Sequence, residues 1–285
     1  MGKKSRRIKE NKPKRARVQF VDRPFEGLPF EAELVAMSEI IPAATLPVRT
    51  TEEHGAEEIL LVTMLPQMVG AIRRSDGKLL VAAQTVMSSG DASTDIADRI
   101  LWGLELENGE TFNQTEQPEP GSRLQDILDL SFESKLQLEE DFGFWIGEDE
   151  ASKPDVAEAI SQTKEQIIPT VLVDGVDGAY WTRMQREFVR WVRKEDEDSI
   201  LNALARLQTR RELTFDGARF VGAFRAQGLL IPVFELEPGT EASELSQPMA
   251  EFDKVLTAEI ESSAALTPEE RRAKAGIVSR QVTLR

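Results

Sequence analysis

The sequence predicts an α+β protein: two related halves with mixed or antiparallel sheets, preceded by a disordered basic arm. Three observations lead there. Short apolar β-runs are punctuated by Asp-Gly turns. Between them lie stretches whose apolar residues recur at spacings of three and four, the signature of helices. Charge is also segregated. Residues 1–17 carry nine Lys or Arg against one acid, a net +8, while the rest of the 285-residue chain holds 26 basic and 49 acidic groups, a net −23. On these signals the chain divides into the arm (1–17), an N-terminal α+β domain (18–112), an acidic linker with a helix (113–153) and a C-terminal α+β domain with an inserted helical pair (154–285).

The arm contains Lys3, Lys4, Arg6, Arg7, Lys9, Lys12, Lys14, Arg15 and Arg17, with Glu10 as its acid and little apolar content beyond Met1 and Ile8. Such a segment cannot bury enough apolar surface to offset its chain entropy, so disorder is expected until a partner binds. Folding begins near Val18–Val21. Pro24–Pro29 is turn-rich, and Glu31–Ser38 carries a short helical pattern. Pro42 and Pro47 interrupt the next β-prone stretch, which reads as an edge strand at best. Ile59–Leu65 reads as a buried strand. Ser75-Asp76-Gly77 signals a hairpin between Val69–Ile72 and Leu79–Ala83. Ser93 or Asp91 can cap a helix through Ile96, Ile100, Leu101 and Leu104.

The linker region contains Asn108-Gly109, Pro118, Pro120 and Gly121, then a helix through Leu124, Ile127 and Leu128. Acidic tracts at 139–141 and 148–150 bracket Phe142, Phe144, Trp145 and Ile146. The second half repeats the outline of the first. A helix from about Asp155 leads to Ile167-Ile168-Pro169 and a strand at Val171–Val173, as Glu39-Ile40-Ile41-Pro42 precedes the first β-run. Asp216-Gly217 mirrors Asp76-Gly77, and Leu229–Leu236 completes a hairpin across Gly228. The repeated outline points to a duplication. Two helices are expected in between, at Trp181–Lys194 and Asp198–Arg211. Thr267-Pro268-Glu269-Glu270 forms a capped helix start.

Composition excludes several chemistries. There is no cysteine, so disulfides, thiolate catalysis and Cys-based zinc sites are ruled out. His54 is the one histidine, which rules out zinc sites built on several imidazoles. No cofactor and no metal site is expected, a carboxylate-only Mg²⁺ site being the one kind this composition leaves open. The longest apolar run, Ile59–Leu65, is far short of the ~20 residues that span a bilayer. The basic start is not followed by an apolar stretch, and Arg6 stands where a myristoylation signal wants Ser or Thr. A cytoplasmic setting without membrane contact is expected.

Three features can carry function. The arm's Lys and Arg can neutralise phosphates and release counterions. Seventeen extended residues reach roughly 55 Å, against a Debye length of about 8 Å, so the arm can hold a polyanion away from the acidic body. The second feature is Arg183, Arg186, Arg190 and Arg193, which would share one face of the expected helix, opposite Trp181, Phe188 and Trp191. That face is either a second phosphate- or partner-facing surface or a solvated face paired with nearby acids. The third is Ser88, Ser89, Gly90, Asp91 and Ser93, which either cradle an anion at a helix start or simply cap that helix. His54 has an unperturbed pKa of about 6.5 suited to a base, but no nucleophile motif accompanies it. Val173–Gly178 carries two Asp-Gly turns rather than a calcium loop.

Arg23-Pro24-Phe25-Glu26-Gly27-Leu28-Pro29, Ile41-Pro42-Ala43-Ala44-Thr45 and Ser88-Ser89-Gly90-Asp91-Ala92-Ser93 together resemble an actinobacterial protein family of unknown function with a Lys/Arg-rich start. The resemblance implies a bacterial cytoplasmic setting and supplies no activity. Translocase-like and topoisomerase-like labels attached to relatives find no support, since there is no cysteine tail and the one tyrosine, Tyr180, lacks a cleavage motif. The functional expectation is a non-enzymatic module that docks on nucleic acid or the ribosome through the arm, while its acidic body contacts protein. The alternatives are an enzyme of unrecognised class using the 88–93 loop, and a protein-binding adaptor whose arm grips its own body.

Overall fold

Local signals set most of the elements. Asp76-Gly77 turns the chain at a positive φ of 87° for Gly77, joining β3 (Ala71–Arg73) to β4 (Leu79–Ala82). Gly228 does the same between β10 (Arg219–Ala226) and β11 (Leu229–Glu235). Asp91 caps α2 (Ala92–Leu104) by accepting from the Ser93 N–H. Thr267 and Glu270 form a reciprocal capping box at the start of α7 (Pro268–Val278). The computed structural model describes residues 16–147, 154–164 and 167–284.

The remaining elements are α1 (Glu31–Glu39), β1 (Ala44–Arg49), β2 (Glu58–Val62), β5 (Thr111–Phe112), α3 (Leu124–Ile127) and β6 (Gln137–Leu138) in the first half. The second half has α4 (Pro154–Lys164), β7 (Thr170–Leu172), β8 (Ala179–Arg183), β9 (Glu187–Trp191), α5 (Glu197–Arg210), α6 (Ser246–Ile260) and β12 (Val282–Leu284). The chain is α+β with two six-stranded sheets, ordered β5-β3-β4-β2-β1-β6 and β12-β10-β11-β9-β8-β7. No helix among the described residues is long and apolar enough to cross a membrane.

Read from β6 and from β7, the two sheets place their hairpins in the same order. Their central junctions differ: β2 runs parallel to β4, whereas β9 runs antiparallel to β11. An eight-residue loop with a 3₁₀ turn at Pro66–Met68 joins β2 to β3, but α5 carries the chain back across the sheet between β9 and β10, which reverses the following hairpin. The two Asp-Gly turns accordingly lead into inequivalent strands, β4 and β10.

Two expectations are corrected. The stretch interrupted by Pro47 is not an edge: β1 lies between β2 and β6. Pro47 is tolerated because β6 reaches only Ala44 and Thr45, so no strand on that side needs the missing N–H. Pro232 sits similarly inside β11, between the Arg193–Leu230 bridge and the β9 pairing that starts at Val233. The expected helix at Trp181–Lys194 is instead the β8–β9 hairpin, with Trp181 opposite Val189 and Arg183 opposite Glu187. Its Tyr, Trp, Thr, Phe and Val residues favour a pleated, half-buried surface, and partners on both sides outweighed a helix-like spacing.

One core lies between the halves. Phe25, Leu34, Ile41, Leu46 and Leu61 pack with Tyr180, Val192, Ala226, Leu229 and Ile231. The opposite face of the second sheet packs Trp181, Trp191 and Phe234 against Leu204 of α5 and Phe252 of α6. A smaller cluster of Val62, Leu65 and Leu80 receives Phe144 and Trp145, and the Trp145 indole donates to the Met64 carbonyl at 2.8 Å. The aromatic group between the two acidic tracts therefore anchors that region on the first sheet.

Candidate functional site

Lys3, Lys4, Arg6, Arg7, Lys9, Lys12, Lys14 and Arg15 lie outside the described residues. Arg17 is described and exposed. The root of the arm is held firmly. The Val21 N–H donates to the Gly90 carbonyl at 3.0 Å. Arg225 meets Asp22 at 2.5 Å, and Arg23 makes a two-pronged bond to buried Glu31 at 2.6 and 2.8 Å. Arg23 also donates to the Lys194 carbonyl at 3.1 Å. The arm thus leaves the body where its two halves meet.

At that exit is a cleft of about 1270 Å³, lined by Arg17, Val18, Phe20, Met87, Ser89, Gly90 and residues 115–118. A second cleft, about 380 Å³, shares residues 115–118 with the first and is also lined by Asp98, Trp102 and Phe112. Trp102 is 55 % exposed and stacks on Phe112 with centroids 5.6 Å apart.

The 88–93 loop borders the first cleft, but its polar atoms are engaged elsewhere. Asp91 is buried and accepts from the Ser93 N–H at 3.1 Å, Thr94 Oγ1 at 2.9 Å and Arg123 Nε at 2.9 Å. Ser93 Oγ donates to Gln125 and accepts from the Leu124 N–H. The Ser89 N–H donates to Asp95, whose pKa burial raises above the usual carboxylate value. The Ser88 carbonyl accepts from Gln117 at 2.6 Å. Two carboxylates occupy the place an anion would take, so the loop caps α2 and fastens the 113–125 segment.

The four arginines of the expected helical face are divided by the hairpin. Register puts Arg190 beside Tyr180 on one face and Arg183 beside Glu187 on the other, with Arg186 in the turn. Arg183 bonds Glu187 at 3.1 Å and Glu241 at 2.5 Å, and lies over the Trp181 ring. Arg186 pairs with Glu235, which Arg219 also grips. Arg193 is buried over Trp191 and bonds Asp253 at 2.6 Å as well as Glu195. Burial opposes its charge, and the bonds to Glu195 and Asp253 outweigh that and hold its pKa above the ordinary arginine value. Arg190 bonds the Met184 sulfur at 3.4 Å, and burial lowers its pKa. On α5, Arg206 donates to the carbonyls of Glu259 and Ala264, and Arg210 pairs with Glu212 and Glu259. Arg183, Arg186, Arg193 and Arg210 are each paired with carboxylates of the fold, and the hairpin places Arg190 on the opposite face from Arg183.

His54 ends a short 3₁₀ turn, with Nδ1 at 2.9 Å from Thr51 Oγ1. Gly175 and Gly178 take positive φ at 74° and 70°, as two turns require. Among the described residues no group of three or more His, Asp or Glu could hold a metal ion.

Sequence reasoning missed Arg99. It is buried on α2 and donates to the carbonyls of Ala82 (2.7 Å) and Ala83, to Gln114 Oε1 (2.9 Å) and to Thr85 Oγ1 (2.8 Å). Burial pushes its pKa down to about 10. It ties the base of the cleft wall to the end of β4. The available signal was its place between Ile96, Ile100 and Gly103 on the apolar face of the helix.

Fold and site together define a two-sheet α+β protein whose candidate site is a cleft at the root of a cationic arm. The model of a family described as "Family of unknown function (DUF5926)" matches residues 24–285, and the chain belongs to that family. The match starts immediately after Arg23 and includes the 87–90 and 112–119 walls. Neither a curated protein nor a solved structure matches the chain significantly.

Proposed function

We propose that the protein is a non-enzymatic cytoplasmic module that docks on nucleic acid, free or within the ribosome, through its basic arm, while its acidic body contacts protein. The observation that carries this reading is the charge split of +8 against −23. The body's arginine-rich hairpin supports it from the other side. Arg183, Arg186 and Arg193 each have a carboxylate partner, so phosphate binding there would require breaking pairs the fold uses. The arm can supply cationic charge for counterion release without that cost.

Filter-binding titrations test the reading, comparing the full chain with a variant lacking residues 1–17, against single-stranded RNA and duplex DNA. The expected result is binding by the full chain and loss of it in the variant. Equal binding by both, or none by either, removes the proposal.

A further inference from the structure

Three arginines meet in one cleft of the second half. The cleft, of about 310 Å³, is lined by Arg211, Arg219 and Arg280 together with Gln208, Leu213 and Phe220, and no acid stands among its lining residues. We propose that it is an anion site that takes the phosphate group of a small phosphorylated molecule. This surface is separate from the arm, and the inference does not rest on the function proposed above.

The arginines come from three elements. Arg211 ends α5, Arg219 opens β10 and Arg280 follows α7. The fold brings them together: α5 packs along α7, where Lys274 bonds Asn202 at 2.8 Å.

Arg211 carries the argument. Its backbone is left-handed (φ 61°, ψ 32°), a conformation that Gly or Asn normally takes at a helix end. An arginine there holds strain that a glycine would not. Its guanidinium has no ion pair and no hydrogen bond to any described residue, because the adjacent Glu212 is taken by Arg210 at 2.7 Å. Arg280 uses its Nε on the Gly276 carbonyl at 3.1 Å, which leaves both terminal amino groups unbonded. Arg219 is 71 % exposed, and its carboxylate, Glu235, is shared with Arg186.

The ordinary role of such cations is to offset helix ends. The C-terminal ends of α5 and α7 carry about half a negative charge each, so three guanidinium groups outweigh both ends and the shared Glu235 by about one charge. That surplus stands in a body of net −23. Guanidinium forks meet phosphate oxygens in pairs of parallel hydrogen bonds. The volume lies at the lower end of small-ligand sites, roughly 300–1,000 Å³, which suits a small molecule rather than a duplex. Buried Leu213 and half-buried Phe220 offer apolar surface to the rest of that molecule. Arg211 also borders a groove lined by Glu212, Asp216 and Glu251. Those carboxylates disfavour an anion there, so the site is confined to the cleft with Arg219 and Arg280.

The test titrates the full chain with inorganic pyrophosphate at fixed ionic strength, followed by NMR through the arginine Nε–H resonances. Saturable shifts are expected at Arg211, Arg219 and Arg280. The double variant Arg211→Gln, Arg280→Gln should weaken binding at least about tenfold. Both side chains are exposed, and unchanged far-UV circular dichroism checks the fold. Arg271→Gln with Arg272→Gln removes the same charge from the start of α7 and should leave the affinity within about twofold. Shifts that do not saturate, shifts confined to other arginines, or equal losses in the two double variants overturn the proposal. So does loss of pyrophosphate binding when residues 1–17 are removed. If Arg211→Gln, Arg280→Gln weakens single-stranded RNA binding and leaves pyrophosphate binding unchanged, the cleft is a nucleic-acid surface and the proposal falls. The RNA titrations of the full and shortened chains succeed or fail independently of the pyrophosphate result.

Discussion

Gly228 and Arg23 touch so closely that no side chain fits between them. A Cβ on Gly228 would stand 2.6 Å from Arg23 Cβ and 2.8 Å from its Cα, at a φ of +80° that already disfavours any other residue. The hairpin of the second sheet is thereby clamped onto the root of the arm. Gly228→Ala should destabilise the protein by about 2–4 kcal/mol through combined strain and clash. Urea denaturation measures it. A change within 0.5 kcal/mol would mean that the root swings away freely.

Arg99 holds the cleft wall from below. Arg99→Met keeps the aliphatic stem but leaves the Ala82 carbonyl and Gln114 without their donor. The expected loss is about 2–3 kcal/mol, with faster hydrogen exchange at residues 112–119 than elsewhere. Uniform acceleration across the chain would argue against a local role.

Asp129 gives a pH dependence. Hydrogen bonds from Ser131 and Arg49 hold its carboxyl down at about 2. The folded pKa is below the unfolded value of about 3.9. Its contribution is therefore present above that value and disappears as pH falls toward about 2. The stability difference between the native chain and Asp129→Asn should be constant at neutral pH and close between pH 4 and 2. A difference that persists at pH 2 contradicts the assignment.

The hairpin arginines separate fold from binding. Arg193→Met, at a buried site with two carboxylate partners, should cost about 2–3 kcal/mol. Arg186→Ala, on a side chain that is 66 % exposed, should cost under about 1 kcal/mol. Neither should change RNA affinity more than about twofold, because neither lies on the arm. A tenfold loss in either would restore the hairpin as a binding surface.

Salt reports on the arm. Replacing Lys3, Lys4, Lys12 and Lys14 with Gln should reduce the slope of log affinity against log salt by up to about 3 for single-stranded RNA, near 0.7 per lost phosphate contact. An unchanged slope would place the phosphate contacts elsewhere.

Much of the fold was legible because its cues are local. Asp76-Gly77 and Gly228 mark hairpins through backbone conformation alone. Asp91 and Thr267 mark helix starts through bonds to residues two or three positions on. The helix Ser246–Ile260 also carried a readable signal in Met249, Phe252 and Leu256, which sequence reasoning passed over. The basic arm and acidic body are matters of composition and needed no coordinates.

Other features were decided by neighbours far along the chain. Trp181–Lys194 has a helix-compatible spacing, and only its pairing with β7 and β11 made it a hairpin. Pro47 could sit inside a sheet only because β6 stops two residues short of it. Arg99 became a buried anchor because carbonyls from β4 and a glutamine fifteen residues away converge on it. The clefts at the arm's root arise where segments 16–20, 87–90 and 112–119 meet. Turn and cap energies depend on residues within a few positions, so the one-dimensional order contains them. Strand pairing and burial depend on contacts whose partners the chain brings together only once it has folded.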